Sequence, residues 1–330
     1  MKRMVKLGFV LLVCFSLVAC GQEAKKGKDD VEVLKIGILQ YAQHPALDQA
    51  NEGFVQALAD QGFVNGENIK IDFQNAQGNQ ATTETIADKL VNDGNDLIYA
   101  IATPAAQAVA QKTQDIPVVV SAVTNPENAG LVDSNEAPGG NITGVSDLTP
   151  VAEQIALLQE LLPDAKRVAI MYTNAEDNSR FQAELAKTAI EAAGLEWIEA
   201  TVSDISQIQQ VTESLVGKVD VIYIPTDNLM AEGIATITMV ATDKGIPCIV
   251  GEPSMVAGGG LATDGIDYYN VGYLAGLQAA KILRGEATPA TMPIEYLGNE
   301  DREIVINKEV ADELGIVIPD SLLDKVIEEK

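Results

Sequence analysis

His44 is the only histidine among 330 residues, and the three cysteines are Cys14, Cys20 and Cys248. Acid–base relays built on imidazole therefore have one group to work with. No Cys/His cluster offers metal ligands, and no cofactor is expected. Carboxylates outnumber Lys and Arg 48 to 22, so paired acids arise by chance and mark no catalytic dyad. Gly258-Gly259-Gly260 has neither the spacing of a dinucleotide loop nor a following Lys-Ser/Thr. It reads as a loop near a cleft or hinge, where glycine permits unusual dihedrals. No Gly-x-Ser-x-Gly elbow occurs. The remaining chemistry is recognition: polar clusters that each follow an apolar run.

Gln40, Tyr41, His44 and Asp48 follow Leu34 to Leu39. Tyr41 can stack on an aromatic ligand or simply wall its lobe. His44 is a hydrogen-bond donor or a plain turn residue. Asp48 is a helix-start acid that either caps and meets the dipole or meets an ammonium group. Thr103 and Pro104 open a helix, with Thr103 as N-cap and Pro104 at the first helical position. The free N–H groups of such a terminus suit a ligand carboxylate. Ser121, Thr124 and Asn125 add hydroxyl and amide groups after the next apolar run. Further along, Asn174, Asn178 and Ser179 follow Arg167 to Tyr172, and Thr226, Asp227 and Asn228 follow Asp220 to Pro225. Glu252 follows Ile246 to Val250, and Asp264 lies near a chain crossing. Asp227, Glu252 and Asp264 are the acids available for an ammonium group, and the sequence does not rank them.

The elements that carry these clusters alternate between β-rich runs and longer stretches with helical spacing. Leu34 to Leu39, Ile69 to Phe73, Asp96 to Ile101 and Ile116 to Val120 read as strands; Asp48 to Gln61, Ala81 to Asn92 and Pro104 to Lys112 read as helices. The order then repeats. Asp220-Val221-Ile222-Tyr223 echoes Asp96-Leu97-Ile98-Tyr99, and Ile246-Pro247 echoes Ile116-Pro117. Strand–helix alternation predicts right-handed βαβ units and parallel sheets. Two such series predict an α/β protein of two doubly wound parallel-sheet lobes whose strand ends face a common cleft. The expected division is 33–146 with 268–299 in the first lobe and 147–267 with 300–330 in the second, joined by a multi-crossover hinge. Trp197 is expected in the second lobe's core.

Lys2, Arg3 and Lys6 precede an apolar stretch that ends Leu17-Val18-Ala19-Cys20. Leu7 to Ala19 is shorter than the ~20 apolar residues a membrane-spanning helix needs. The flanking charge, the length and the small residue before cysteine make 1–19 an export signal. The polar segment 20–32 reads as a flexible tether. Loss of the three cations with the signal takes the formal charge from −26 to −29. Such a surface disfavours nucleic acid and anionic headgroups. Cys248 is left without an intrachain partner, as a buried, inert thiol.

Leu17 to Cys20 resembles the bacterial lipobox, which implies cleavage before Cys20 and lipid on its sulfur. The segments Gln40 to Asp48, Ala102 to Gln107, Ser121 to Pro126 and Gly265 to Tyr269 with Gly272, in this order, resemble the ABC transporter substrate-binding family that includes tryptophan- and tyrosine-binding proteins. The resemblance runs from about Leu34 to the C-terminus. It implies a type I periplasmic binding protein-like fold and a lipid-anchored, monomeric, non-enzymatic receptor outside the cytoplasm. Such a receptor captures a small amino acid, in particular an aromatic one, and passes it to an ABC permease. Other small solutes, a sensor that presents its ligand to a membrane receptor, and an exported carboxylate enzyme remain alternatives.

Overall fold

The computed structural model describes residues 33–327. The signal 1–19, the lipidation residue Cys20 and the tether 20–32 lie outside the described residues. No helix among the described residues is long and apolar enough to cross a membrane.

The first lobe opens with β1 (Leu34–Gln40), α1 (Pro45–Asp60), β2 (Ile69–Asn75), α2 (Gln80–Asn92), β3 (Leu97–Ile101), α3 (Thr103–Ala110), β4 (Val118–Ser121) and β5 (Ile142–Ser146). The second runs through α4 (Val151–Leu161), β6 (Arg167–Thr173), α5 (Asp177–Ala192), β7 (Glu196–Val202), α6 (Ile208–Ser214), β8 (Val221–Ile224), α7 (Asn228–Asp243), β9 (Cys248–Val250), α8 (Pro253–Ala257) and β10 (Ala262–Ile266). The chain then returns through α9 (Tyr268–Leu283) and β11 (Glu295–Tyr296) to the first sheet. It ends with β12 (Arg302–Asn307), α10 (Lys308–Leu314) and β13 (Val326–Ile327) on the second.

The sheet orders are β11-β5-β4-β3-β1-β2 and β13-β12-β10-β9-β8-β6-β7. Setting the late additions aside, each lobe winds in the same sense outward from its first strand, and the echoes in sequence become equivalent contacts. Asp96 Oδ2 accepts from the Lys35 amide at the start of β1 (2.7 Å), as Asp220 Oδ2 accepts from the Arg167 amide at the start of β6 (2.9 Å). Each Ile-Pro lends a proline carbonyl to the neighbouring strand: Pro117 O accepts from Ile98 N, and Pro247 O from Ile222 N. The lack of a proline N–H is why these strands begin one residue after the proline rather than at the isoleucine. Tyr99 and Tyr223 are fully buried at matching places.

Two strands of the second sheet, β12 and β13, run against the others and parallel to each other. β12 pairs antiparallel with β10, because the chain enters the second sheet for the last time from the hinge side, at the C-terminal end of β10. Gly258 to Gly260 is not near the cleft. It joins α8 to the start of β10, at the N-terminal ends of the strands, and Gly259 takes φ +101° there against Thr238. Trp197 lies on the edge strand β7, half-buried, with its Nε1 donating to Glu191 (2.9 Å) and the Lys187 ammonium over its ring. Cys248 is buried, which pushes its thiol up to about 12 and leaves it unreactive.

Two helices set the geometry on which the site depends. α1 carries His44 at its start, and α9 begins at Tyr268 directly after the hinge. Phe54 of α1 stacks on Tyr99 at 3.7 Å between ring centroids, which seats α1 on the sheet. α9 then lies against α1 so closely that a Cβ at Gly53 would overlap the Tyr269 carbonyl and one at Gly272 the Ala50 carbonyl. Backbone cannot yield as a side chain can, so Gly272→Ala must push the helices apart. We expect it to destabilise the protein by about 1–3 kcal/mol, the usual range for overpacking. A thermal melt checks this, and an unchanged midpoint would contradict the close approach.

Candidate functional site

The C-terminal ends of both sheets meet across a nearly filled pocket whose cavity volume is ≈ 10 Å³, room for about one water. The first lobe lines it with His44, Leu47, Ala122 and Thr124, and Asp147 stands at the crossing just past β5. The second supplies Asn178, Thr226, Asp227, Asn228, Ala231 and Glu252, and the hinge adds Tyr268. Every polar member is at or next to a strand end or helix start, as the winding requires.

Contacts between the lobes are polar and few. Gln107 of α3 donates to Asp177 Oδ2 at the head of α5 (2.7 Å). Gln182 Nε2 donates to the Thr226 carbonyl (2.8 Å) and reaches Thr124 Oγ1 at 3.4 Å, and His44 Nε2 lies 3.4 Å from Asn228 Oδ1. At the crossing, Asp147 accepts from Thr124 (3.1 Å) and from the Tyr268 hydroxyl (2.8 Å), which ties strand end to hinge.

Around this pocket, buried polar atoms go without partners: His44 Nδ1, Gln40 Oε1, Glu176 Oε1, Asn178 Oδ1 and Gln182 Oε1. Each such atom is costly to strand away from water, about 1–3 kcal/mol. Their concentration where two lobes meet identifies a surface built to receive a polar molecule.

Burial sets the protonation states. It lowers His44 to about 4, so the imidazole is neutral. It raises Glu252 to about 7 and raises Asp147, Asp227 and Glu176, the last pushed further by the neighbouring Asp227 charge. Tyr268 is raised by burial and then by Asp147.

The structure brings His44, Thr124, Asn178, Thr226, Asp227, Asn228 and Glu252 to the pocket. Gln40 stands just behind, donating to Asp48 (2.7 Å) and to the Ala42 carbonyl. Asp48 is in the first turn of α1, whose N-cap is His44; the helix begins at Pro45, earlier than its apolar spacing suggests, because proline suits the first turn. Tyr41 packs against the first lobe's core with its hydroxyl on the Gly78 carbonyl (3.1 Å). Ser179 is buried beneath, bonded to Asp227.

Four expectations need correction. Thr103 is not the N-cap of α3: Ala102 holds that position at φ 82°, no side chain caps the helix, and Thr103 and Pro104 are buried in its first turn. The Ser121 hydroxyl faces inward onto the Tyr99 hydroxyl, since β4 alternates its side chains and Ser121 falls on the core side. Asn125 organises its own loop, accepting from Asn128 N (3.1 Å) and Asn135 Nδ2 (3.2 Å). Asp264 pairs with Arg302 of the antiparallel strand at 2.6 Å, so its charge is already met.

Residues that the sequence reading missed are Glu176, Asp147, Gln182 and Tyr268. Asp147 follows β5, a strand whose Ile-Thr-Gly-Val-Ser is too mixed to stand out. Glu176 sits three residues past β6, within the span already searched. Among the described residues no group of three or more His, Cys, Asp or Glu is arranged to hold a metal.

The sequence profile for ABC transporter substrate binding protein matches residues 35–330. The chain belongs to that family. Its role is to bind a substrate and not to transform it. Among curated proteins, a tyrosine-binding protein of Clostridioides difficile is 43% identical over 284 residues, covering 86% of this chain and 81% of that one. A solved ABC domain from Streptococcus pneumoniae in complex with L-Trp shares 39% identity with a TM-score of 0.86, covering 90% of this chain and 100% of that one. A substrate-binding protein with adhesive properties from Clostridium difficile, in a ligand-free, open structure, shares 42% identity over the same coverage, but its TM-score is 0.69. In this substrate-binding protein the contacts at Gln107, His44 and Thr124 bring the two lobes together across the pocket. The lobes have the type I periplasmic binding protein fold.

Stability of this substrate-binding protein should respond to pH with a definite sign at Glu252. A carboxyl whose pKa rises on burial costs nothing while protonated, and the cost grows as pH climbs from its exposed value toward its buried one. For Glu252 that window runs from 4.5 to about 7, and Asp147, Asp227 and Glu176 act in the same direction. His44, lowered from 6.5 to about 4, opposes them as pH falls. Glu252→Gln should therefore remove part of the loss of stability between pH 4.5 and about 7, read as the thermal midpoint at each pH against wild type. A variant whose midpoint follows pH as wild type does would contradict the assignment.

Proposed function

We propose that this substrate-binding protein captures an aromatic L-amino acid, tyrosine or tryptophan, outside the cytoplasm and delivers it to the permease of an ABC importer. The observation that carries the reading is the composition of the closed pocket. Its unpartnered buried polar atoms suit the charged groups of an amino acid, and Leu47, Ala122 and Ala231 offer apolar wall. The Clostridioides difficile and Streptococcus pneumoniae relatives support this choice of ligand. Ligand meets one lobe first and is trapped as the other adds its contacts, so closure is favoured by the affinity difference between the two states.

In this reading the chain is exported by residues 1–19, anchored through lipid on Cys20 and spaced from the membrane by 20–32. The lobes comprise 33–146 with 268–299 and 147–267 with 300–330, and one copy suffices, since both walls of the pocket come from one chain. Gln40, Tyr41, Asp48, Thr103, Pro104, Ser121, Asn125, Ser179 and Asp264 act as support around the residues that line the pocket.

Calorimetry with each of the common L-amino acids tests the ligand. We expect saturable heat at one site per chain with tyrosine, tryptophan or both, and none with sugars or nucleosides. No heat with any aromatic amino acid would overturn the proposal. Cys20→Ala should move the protein from the membrane fraction to the soluble one; unchanged fractionation would remove the anchor.

A further inference from the structure

Five acids lie in or near the interlobe region, and their hydrogen bonds separate them. Asp227 is the N-cap of α7: one oxygen accepts from Met230 N and Thr173 Oγ1 (both 2.9 Å), the other from Thr173 N (2.6 Å). Glu252 is the N-cap of α8, accepting from Ser254 N (2.6 Å) and Ser254 Oγ (2.7 Å). Asp147 has a donor on each oxygen, from Thr124 and Tyr268. Asp264 has Arg302. Each of these already has a structural partner for both oxygens or an opposite charge.

Glu176 is different. It occupies the N-cap position of α5, yet its side chain makes no cap bond. Asn228 Nδ2 (2.5 Å) and Asn178 Nδ2 (3.3 Å) both donate to its Oε2 instead, and both asparagines line the pocket. Oε1 is left buried without a donor, in a residue only 4% exposed. Asn178 Oδ1, two residues on, is also unpartnered. A carboxyl oxygen and an amide oxygen without donors are acceptors of the kind that the several donors of an ammonium group satisfy. No Lys or Arg lines the pocket, and the nearby imidazole is neutral, so no residue supplies the missing cation.

We propose that Glu176, steadied by Asn178 and Asn228, is the residue that receives the ligand's ammonium group and makes the free amino group a requirement for capture. This rests on the ligand being an amino acid. Burial and the adjacent Asp227 both oppose a bare charge on Glu176, so an incoming cation relieves both, whereas a ligand lacking the amino group leaves Oε1 stranded. That asymmetry is what makes such sites selective.

The test is calorimetry on the full mature chain and on Glu176→Gln, which keeps shape but carries no charge. The probes are L-tyrosine and L-tryptophan with their des-amino analogues, 3-(4-hydroxyphenyl)propionate and indole-3-propionate. Wild type should prefer the amino acids. Glu176→Gln should weaken them by about 10–100-fold, the range for losing a charged hydrogen bond, and leave the des-amino acids within ~3-fold, so that the preference collapses. A variant that keeps the wild-type preference overturns the assignment, including the case in which a protonated Glu176 donates to the ligand carboxylate, which Gln would reproduce. Thermal melts check folding, and Glu176→Ala replaces Gln under the same criteria if Gln does not fold. If wild type takes a different amino acid, the aromatic reading fails and Glu176 is judged by the same ratio on that amino acid and its des-amino acid. If it takes no amino acid, both fail.

Discussion

A polar atom buried between two surfaces must find a partner there, and in this protein several do not. His44, Gln40, Glu176, Asn178 and Gln182 are buried around the place where the lobes meet, yet each keeps an atom without a bond. The direct contacts across the gap, Gln107 to Asp177 and the longer approaches at His44 and Thr124, leave those atoms unmet. A molecule that supplies the missing donors and acceptors to both sides changes the balance, because its bonds exist in full only when both lobes touch it. Recognition and closure are then one event.

The duplicated lobe serves this constraint. Parallel strands wound in the same order bring their carboxyl ends, with loops and helix starts, to one side of each sheet. The equivalent roles of Asp96 and Asp220, and of Pro117 and Pro247, mean that both lobes are pinned at their closed, N-terminal side, so the variable chemistry sits at the other. The glycines that let α9 lie on α1 fix His44 relative to Tyr268, and Tyr268 in turn holds Asp147 beside the hinge. A rigid scaffold of this kind keeps the unsatisfied atoms from relaxing onto one another.

Much of this was legible in the chain itself. The apolar runs and the glycine stops gave both lobes, and position past a strand end brought His44, Thr124, Asn178, Thr226, Asp227, Asn228 and Glu252 to the pocket. The failures have a common physical cause. Strand-end position does not say which face a side chain takes, so Ser121, turned inward to Tyr99, looked the same as Thr124. Nor does it say whether a charge is already met: Asp264, Asp227 and Glu252 were equally eligible until Arg302 and the amides at the starts of α7 and α8 were seen to hold them. Ala102 took a backbone conformation that no residue-type rule assigns to alanine, which moved the helix start one residue earlier, onto Thr103. Pairings across distant segments decide these matters, and spacing along the chain carries no trace of them.

The account turns on a single small molecule bridging both halves. A crystal structure grown with the amino acid that calorimetry selects tests this most directly. The account predicts continuous density between the lobes, bonded to at least one of His44 and Thr124 and at least one of Glu176, Asn178 and Asn228. Density confined to one lobe's outer surface, or lobes that stay closed around water while the ligand sits elsewhere, would contradict it.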